Sequence, residues 1–290
     1  MYIDVVVDDS RTANPASVRW AYFRLPPFSP VAIRILQLVN GEDDRAEDLS
    51  KLISSDQAFA SAVLTVANSA LYAHFAPVTD VLRAVHRLGQ RKLQGLCMSV
   101  AMMTLMSKQV QTAVGRGLWA HNLACGFIAE TVAAGAGIDP GIAFTCGLLH
   151  DVGRLAMCVL QPEEYGRILD THRGSPASIL EREKELFRFD HCNAGCELSR
   201  SLMLPSPFAT VIKAHHEPLC STDDWGLTDL IAASCRIADA TGFAAFPGCE
   251  ATAYAELIEE LPKTVVSRLD PDVESLAWEI RGGIKLLGVV

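Results

Sequence analysis

Apolar residues recur every three or four positions along most of this chain, and no two-residue alternation persists beyond residue 20. The pattern therefore predicts helices throughout. Residues 1–24 read as an N-terminal arm with room for a short strand or a helical turn. LPPFSP, Leu25 to Pro30, is a rigid entry, and VAIRILQLVN is expected to start a helix near Pro30, where proline's missing N–H does no harm. After the break GEDDR, AEDLSKLISSD carries Leu49, Leu52 and Ile53 at helical spacing. QAFASAVLTVANSALYA does the same with Phe59, Val63, Val66 and Ala67, which predicts core packing. Pro77 ends that run. TDVLRAVHRLGQRKLQGLCMSVAMMTLMSK supplies two more helices with Gly89 near their junction, and Met98, Met102, Met103 and Met106 read as core filling.

A polar patch, SKQVQTAVGRG, separates this region from the next. Helices are predicted at WAHNLACGFIAETVAAGAG, at PGIAFTCGLLHDVGRLAMCVL and at PEEYGRILDTH. SPASILEREKELFRFDHCNAGCELSRSLM gives one helix and then a second starting near Asp190. PSPFATVIKAHH and LTDLIAASCRIADATGF follow, and two or three short helices complete an all-α chain.

Composition narrows the function. Its 290 residues suffice for one large or two small domains, and a hydrophobic share of 50% argues against disorder. A formal charge of −9 opposes nucleic-acid binding. MYIDVVVDDS does not read as a signal peptide, and no apolar run approaches membrane-spanning length. Nine cysteines without a CxxC pair suggest free buried thiols in a reducing compartment. The expectation is a soluble, cytoplasmic protein with no membrane association.

The chemistry lies in the histidines. His74, His86 and His172 have no neighbour arranged as a ligand would be. His121, the pair His150–Asp151, His191 and the pair His215–His216 fall at the ends or on the faces of separate predicted helices, with Asp239 inside RIADA. Adjacent helical residues point about 100° apart, so a pair offers both side chains to one site only if the site lies between their directions. Five histidines and two aspartates could hold one or two divalent transition-metal ions, iron or manganese foremost, with zinc or nickel as alternatives. Without paired cysteines a thiolate zinc site is disfavoured. The competing reading is that each histidine caps a helix or makes a core hydrogen bond.

At these residues the sequence resembles a known pattern. His121, His150–Asp151 and Asp239 are similar to the signature of the HD superfamily of metal-dependent phosphohydrolases. His191 and His215–His216 resemble the extra histidines of its HD-GYP branch, in which they help hold a two- or three-metal centre that hydrolyses cyclic di-GMP. Over its length the chain is closer to the HDOD (HD-related output) domain. LPPFSP, SSDQAFASAVLTVANSALY and AVHRLG resemble that domain's N-terminal half; LWAHNLA, CGLLHDVGRL, DHCNAGCELSRSLMLP and IKAHH resemble its second half.

The resemblance implies a domain over residues 25–218, with an N-terminal helical half (25–107) and an HD-like half (108–218), and a C-terminal helical extension (219–290) completing the HD-like core. It implies a bacterial signalling or regulatory role exercised through protein partners, with a nucleotide or phosphate as a further ligand; the alternative is a metal-dependent phosphohydrolase or phosphodiesterase acting on a nucleotide or cyclic nucleotide. In that alternative Asp151 bridges two ions, while Arg154, standing where HD-GYP enzymes carry lysine, steadies charge on the phosphate or else forms a surface salt bridge. HHEPLCSTDDWG lacks the GYP segment, which makes cyclic di-GMP a poor substrate candidate. Glu181 and Glu185 read as solvated helix surface, Glu217 as an outer partner of the histidine pair, and Cys192/Cys196 as packing.

Overall fold

The computed structural model describes residues 46–68, 76–89, 112–201, 204–220 and 225–286, with positions 3–4, 24–25, 31, 34–35, 92–93, 96–97 and 100. Ile3–Asp4 (β1) and Arg24–Leu25 (β2) form a two-residue antiparallel ladder, Ile3 opposite Leu25. The architecture is otherwise all-α. Val31, Arg34 and Ile35 are helical, while the methionine cluster and His74 lie outside the described residues.

Three helices pack together in the N-terminal part: α1 (Ala46–Ser54), α2 (Gln57–Ala67) and α3 (Val81–Leu88). Asp56 caps α2 by accepting from the Ala58 and Phe59 amides, and Phe59, Val63, Val66 and Ala67 are buried as their spacing predicts. Asn68 then accepts from the Val78 amide and donates to the Val78 carbonyl, both at 2.8 Å, fixing the chain around Pro77. Asp80 caps α3, and Gly89, at φ 74°, ends it.

The second region is built on α4 (Ala113–Ala133). The expected separating patch is partly helical: Thr112 caps α4 by accepting the Gly115 amide, so the helix starts nearly two turns earlier than WAHNLA suggests and His121 lies well inside it. A short 3₁₀ turn (Ala134–Ala136) follows. The stretch expected as one helix at PGIAFTCGLLHDVGRLAMCVL is two, α5 (Pro140–Leu149) and α6 (Val152–Leu160). The break falls at His150–Asp151, where Asp151 leaves helical geometry (φ −101°, ψ 20°).

The remaining helices are α7 (Pro162–Thr171), α8 (Ser178–Phe187), α9 (His191–Ser201), α10 (Ser206–Ala214), α11 (Leu227–Ala240), α12 (Tyr254–Glu259), α13 (Lys263–Val266) and α14 (Val273–Leu286). α4 packs against α5, α11 and α14, so helices beyond residue 218 help enclose the same core. α9 lies on α6 and α10.

Two crossings have no room for side chains. A Cβ on Gly147 of α5 would lie 2.7 Å from the Cys125 carbonyl oxygen and 2.8 Å from Gly126 Cα on α4. One on Gly153 of α6 would overlap the His191 carbonyl oxygen and fall 2.7 Å from Gly195 N on α9. These glycine contacts stand on either side of His150–Asp151. They bring α4, α5, α6 and α9 close enough for short side chains from all four to meet.

The nine cysteines are free; Cys220 is exposed, Cys249 half-buried and the rest buried. Against the expectation that no run approaches membrane-spanning length, Pro140–Leu160 meets the criterion by length and composition, but it is α5 plus α6 and lies mostly inside the core.

Candidate metal centre

Six of the seven histidine and aspartate candidates converge through one carboxylate. Asp151 is 1% exposed. Its Oδ1 lies 3.2 Å from His191 Nε2 and 3.3 Å from His215 Nε2. Its Oδ2 lies 3.8 Å from His150 Nε2 and 4.0 Å from His121 Nε2. His121 and His150 face each other, Nε2 to Nε2, at 3.2 Å, and His191 and His216 do so at 3.0 Å. Asp151 therefore stands between two histidine groups contributed by α4, α5, α9 and α10. The break at residues 150–151 lets two adjacent residues serve one site, which an unbroken helix resists.

Asp239 arrives differently. Its Oδ1 is 3.4 Å from His121 Nδ1, the other side of the ring, and accepts the Ala245 amide at 3.2 Å. Among the described residues, three groups of side chains could hold a metal ion, each with its ligand atoms within 4.8 Å of one another: His121/His150/Cys235, His150/Asp151/His215 and His191/Cys192/His215/His216. Both cysteines extend the candidate set beyond its sequence-predicted members.

Hydrogen bonding fixes which nitrogen each ring turns inward. Nδ1–H of His121 donates to the Phe243 carbonyl (2.7 Å), that of His150 to Gly147 (2.6 Å) and that of His215 to Ile212 (2.9 Å). Nδ1–H of His191 donates to the Glu183 carboxylate at 2.7 Å. A carbonyl accepts only, so Nδ1 carries the proton and, in the neutral ring, Nε2 is the lone-pair atom. Outward Nδ1 donors with inward Nε2 lone pairs are the arrangement of metal-bound histidines. Among the described residues, Asp151 Oδ1 and His215 Nε2 are buried and complete no hydrogen bond. Unpaired acceptors facing one another repel, and a cation between them relieves that cost, so these residues fit a metal ion.

The charges are ordered. Burial alone would raise the Asp151 carboxyl pKa, but Arg154, His150 and His191 outweigh it and hold it well below the usual carboxylate range. Burial pushes His150, His215 and His216 below the ordinary imidazole value. Burial and Arg154 also oppose charge on His191, yet Glu183, Cys192 and Asp151 prevail and its pKa is raised. Burial raises that of Asp239.

Arg154 is fully enclosed, so its surface salt-bridge reading fails. Its Nε donates to Asp151 Oδ2 at 2.7 Å, and its Nη1 is 3.7 Å from Glu183. Glu183 escapes sequence inspection. It is 0% exposed, accepts from both the amide and Nδ1 of His191, and accepts from the Tyr165 hydroxyl at 2.7 Å. Its signal is a carboxylate four residues after the buried Ile179, on the apolar face of α8. Glu181 and Glu185 are exposed, as expected. Glu217, expected behind the histidine pair, is also exposed and lines the mouth of the site.

That mouth is a pocket of about 280 Å³, whose walls include His215, His216, Cys235 and Asp239. His150, Asp151 and Arg154 do not line it. A larger pocket of about 430 Å³ lies between α7 and α8, and none of the seven candidate ligands reaches it.

Fold and site together define an all-α protein with buried histidine-rich groups able to bind a metal. The chain belongs to the HDOD domain family, whose sequence model matches residues 25–218. A curated relative, an uncharacterised protein of Treponema pallidum (strain Nichols), is 26% identical over 217 residues; the match takes in 73% of this chain but only 42% of that protein. Among solved structures, a candidate phosphohydrolase from Shewanella amazonensis SB2B aligns over 91% of this chain and 94% of its own, at 22% identity and TM-score 0.64. A candidate signal transduction protein from Marinobacter aquaeolei VT8 aligns over 91% of this chain and 59% of its own, at 20% identity and TM-score 0.63. A candidate metal-dependent phosphohydrolase from Shewanella amazonensis SB2B aligns over 91% and 92%, at 19% identity and TM-score 0.62. At these identities the likeness is one of fold.

Proposed function

We propose that this HDOD protein is a cytoplasmic signal-transduction output module that carries one or two divalent transition-metal ions and acts through protein partners. The proposed ligands are His121, His150, Asp151, His191, His215 and His216, with Asp151 between two sites; Asp239, expected as a ligand, stands on the Nδ1 side of His121 and serves as its outer partner. Nitrogen and carboxylate donors suit iron or manganese, with zinc and nickel as competitors. Residues 25–107 would offer the partner surface, 108–218 the HD-like half, and 219–290 the extension that brings Asp239.

One observation carries the preference for regulation over turnover. Asp151, the shared carboxylate, is 1% exposed and does not line the adjoining pocket, which at about 280 Å³ is at the lower edge of the size of sites that enclose organic ligands. A hydrolytic site needs its substrate to reach the ligand cluster. In this reading Arg154 is a positioning residue that neutralises and orients Asp151, and Glu183 orients His191.

The pocket's contact with His215, His216 and Asp239 favours a second reading, a metal-dependent phosphohydrolase or phosphodiesterase that admits a small phosphate ester. A bound ion there would acidify water and polarise a phosphoryl oxygen. The names of the structural relatives do not separate the two readings.

Elemental analysis of protein purified without added metal is the test. One or two equivalents in the wild type, lost in His150→Ala, with no hydrolysis of phosphomonoester or phosphodiester substrates, is the expected result. Turnover abolished by His150→Ala would transfer the assignment to the hydrolase. Metal-free wild type that also refuses added iron, manganese and zinc would remove the metal centre altogether.

A further inference from the structure

α11 brings two side chains to His121, one turn apart. Asp239 approaches Nδ1, the nitrogen whose proton the Phe243 carbonyl accepts. Cys235 approaches Nε2, the inward nitrogen, with Sγ at 3.4 Å. His150 Nε2 is 3.2 Å from that same His121 atom, and its ring is likewise turned by an Nδ1–H···O=C bond to Gly147. Two imidazole lone pairs and one sulfur therefore share a buried space, with the three ligand atoms within 4.8 Å of one another. Independent of the cysteine, His215 Nε2 and Asp151 Oδ1 beside this space are buried and lack hydrogen-bond partners among the described residues. His215 lies edge-on to His150 at a ring separation of 4.9 Å.

We infer that Cys235 supplies a thiolate ligand to an ion held by His121 Nε2 and His150 Nε2, making this side of the centre a His/His/Cys site for a borderline-soft ion such as zinc, cobalt(II) or ferrous iron. The inference rests on the metal-binding reading above and changes its donor set. It replaces the expectation from unpaired cysteines that sulfur takes no part.

Without an ion, the Cys235 thiol donates its proton toward His121 Nε2. On binding, the S–H bond breaks, a sulfur–metal bond forms, and the proton leaves to solvent through the pocket that Cys235 itself lines. A single thiolate among nitrogen donors favours zinc, cobalt or ferrous iron over manganese, whose preference is for oxygen.

Cobalt(II) loading of stripped protein reads the ligand directly. Wild type and Cys192→Ser are expected to show a near-ultraviolet sulfur-to-cobalt charge-transfer band, and Cys235→Ser to lose it while the histidines still retain cobalt. Cys192 is the rival thiol, grouped with His191, His215 and His216. A band that survives in Cys235→Ser, disappears in Cys192→Ser, or is missing from cobalt-loaded wild type overturns the thiolate and leaves the histidine centre standing. Wild type that binds no cobalt overturns both.

Should Cys235→Ser fail to fold, X-ray absorption of the zinc-loaded wild type and Cys192→Ser decides the matter. Support is a sulfur scatterer at about 2.3 Å in both proteins, and only nitrogen and oxygen neighbours at about 2.0–2.2 Å overturn the assignment.

Discussion

Alanine at Gly153 is expected to cost upward of about 4 kcal/mol, a large share of the roughly 5–15 kcal/mol that stabilises an ordinary domain. Its methyl group would be driven into backbone, the His191 carbonyl oxygen and the Gly195 amide, at the crossing of α6 and α9. Backbone at a helix crossing cannot swing aside as a long side chain can, so the helices must separate. Asp151 and His191 sit at the starts of those two helices, and the separation would pull them apart.

Gly166 on α7 is the control, because an added Cβ there meets nothing within 4 Å among the described residues. Gly166→Ala is expected to stabilise by about 0.4–1 kcal/mol, through lower entropy of the unfolded chain. Urea unfolding of both variants checks the pair. Gly153→Ala within 1 kcal/mol of wild type, roughly the scale of an ordinary substitution, would refute the close crossing.

The second large effect is expected at Glu183. Its carboxylate accepts from the His191 amide and ring and from Tyr165, and it faces Arg154, with no solvent to replace it. Glu183→Ala leaves those groups buried beside a void, and removing one member of such a set costs about 3–5 kcal/mol. Losing the outer partner of a ligand histidine is expected to weaken metal binding by about 10–100-fold.

Acid tests the charge separately. Burial opposes ionisation of Glu183, but His191 and Arg154 prevail and depress its folded pKa. The ionic stabilisation is therefore fully present above an unfolded value of about 4.3 and fades as pH falls through the lower folded value. The stability gap between wild type and Glu183→Gln should narrow over that acid range. A gap that widens there would show that Glu183 is not stabilised as an anion.

The sequence makes local features legible and long-range convergence only partly so. The buried face of α2 and the turn at Gly89 follow from spacing and residue type, whereas the capping roles of Asp56 and Asp80 emerge only from the structure. The break at His150–Asp151 is likewise hidden, because apolar residues continue on both sides and conceal the end of α5. Thr112 hides within a polar stretch and extends α4 in the same way. The histidines could be singled out one by one, but their meeting depends on glycine contacts between helices distant in sequence. Glu183 lacks the signal of Glu181 and Glu185, whose helical pairing is conspicuous although both face solvent. Cys235 carries no recognisable spacing signal; its meaning comes from the orientation of His121, set by a carbonyl more than a hundred residues away.

The outward hydrogen bonds also bear on how this centre can change by mutation. For His121, His150 and His215 the proton acceptor is a main-chain carbonyl, which no side-chain substitution deletes. For His191 it is the carboxylate of Glu183, which a single codon change removes. Point substitution of a partner thus has direct purchase on one ring of the four. Variation among descendants, or deliberate tuning by an engineer, has its simplest lever on the His191 flank, while the orientation of the other three rings is inherited with the backbone.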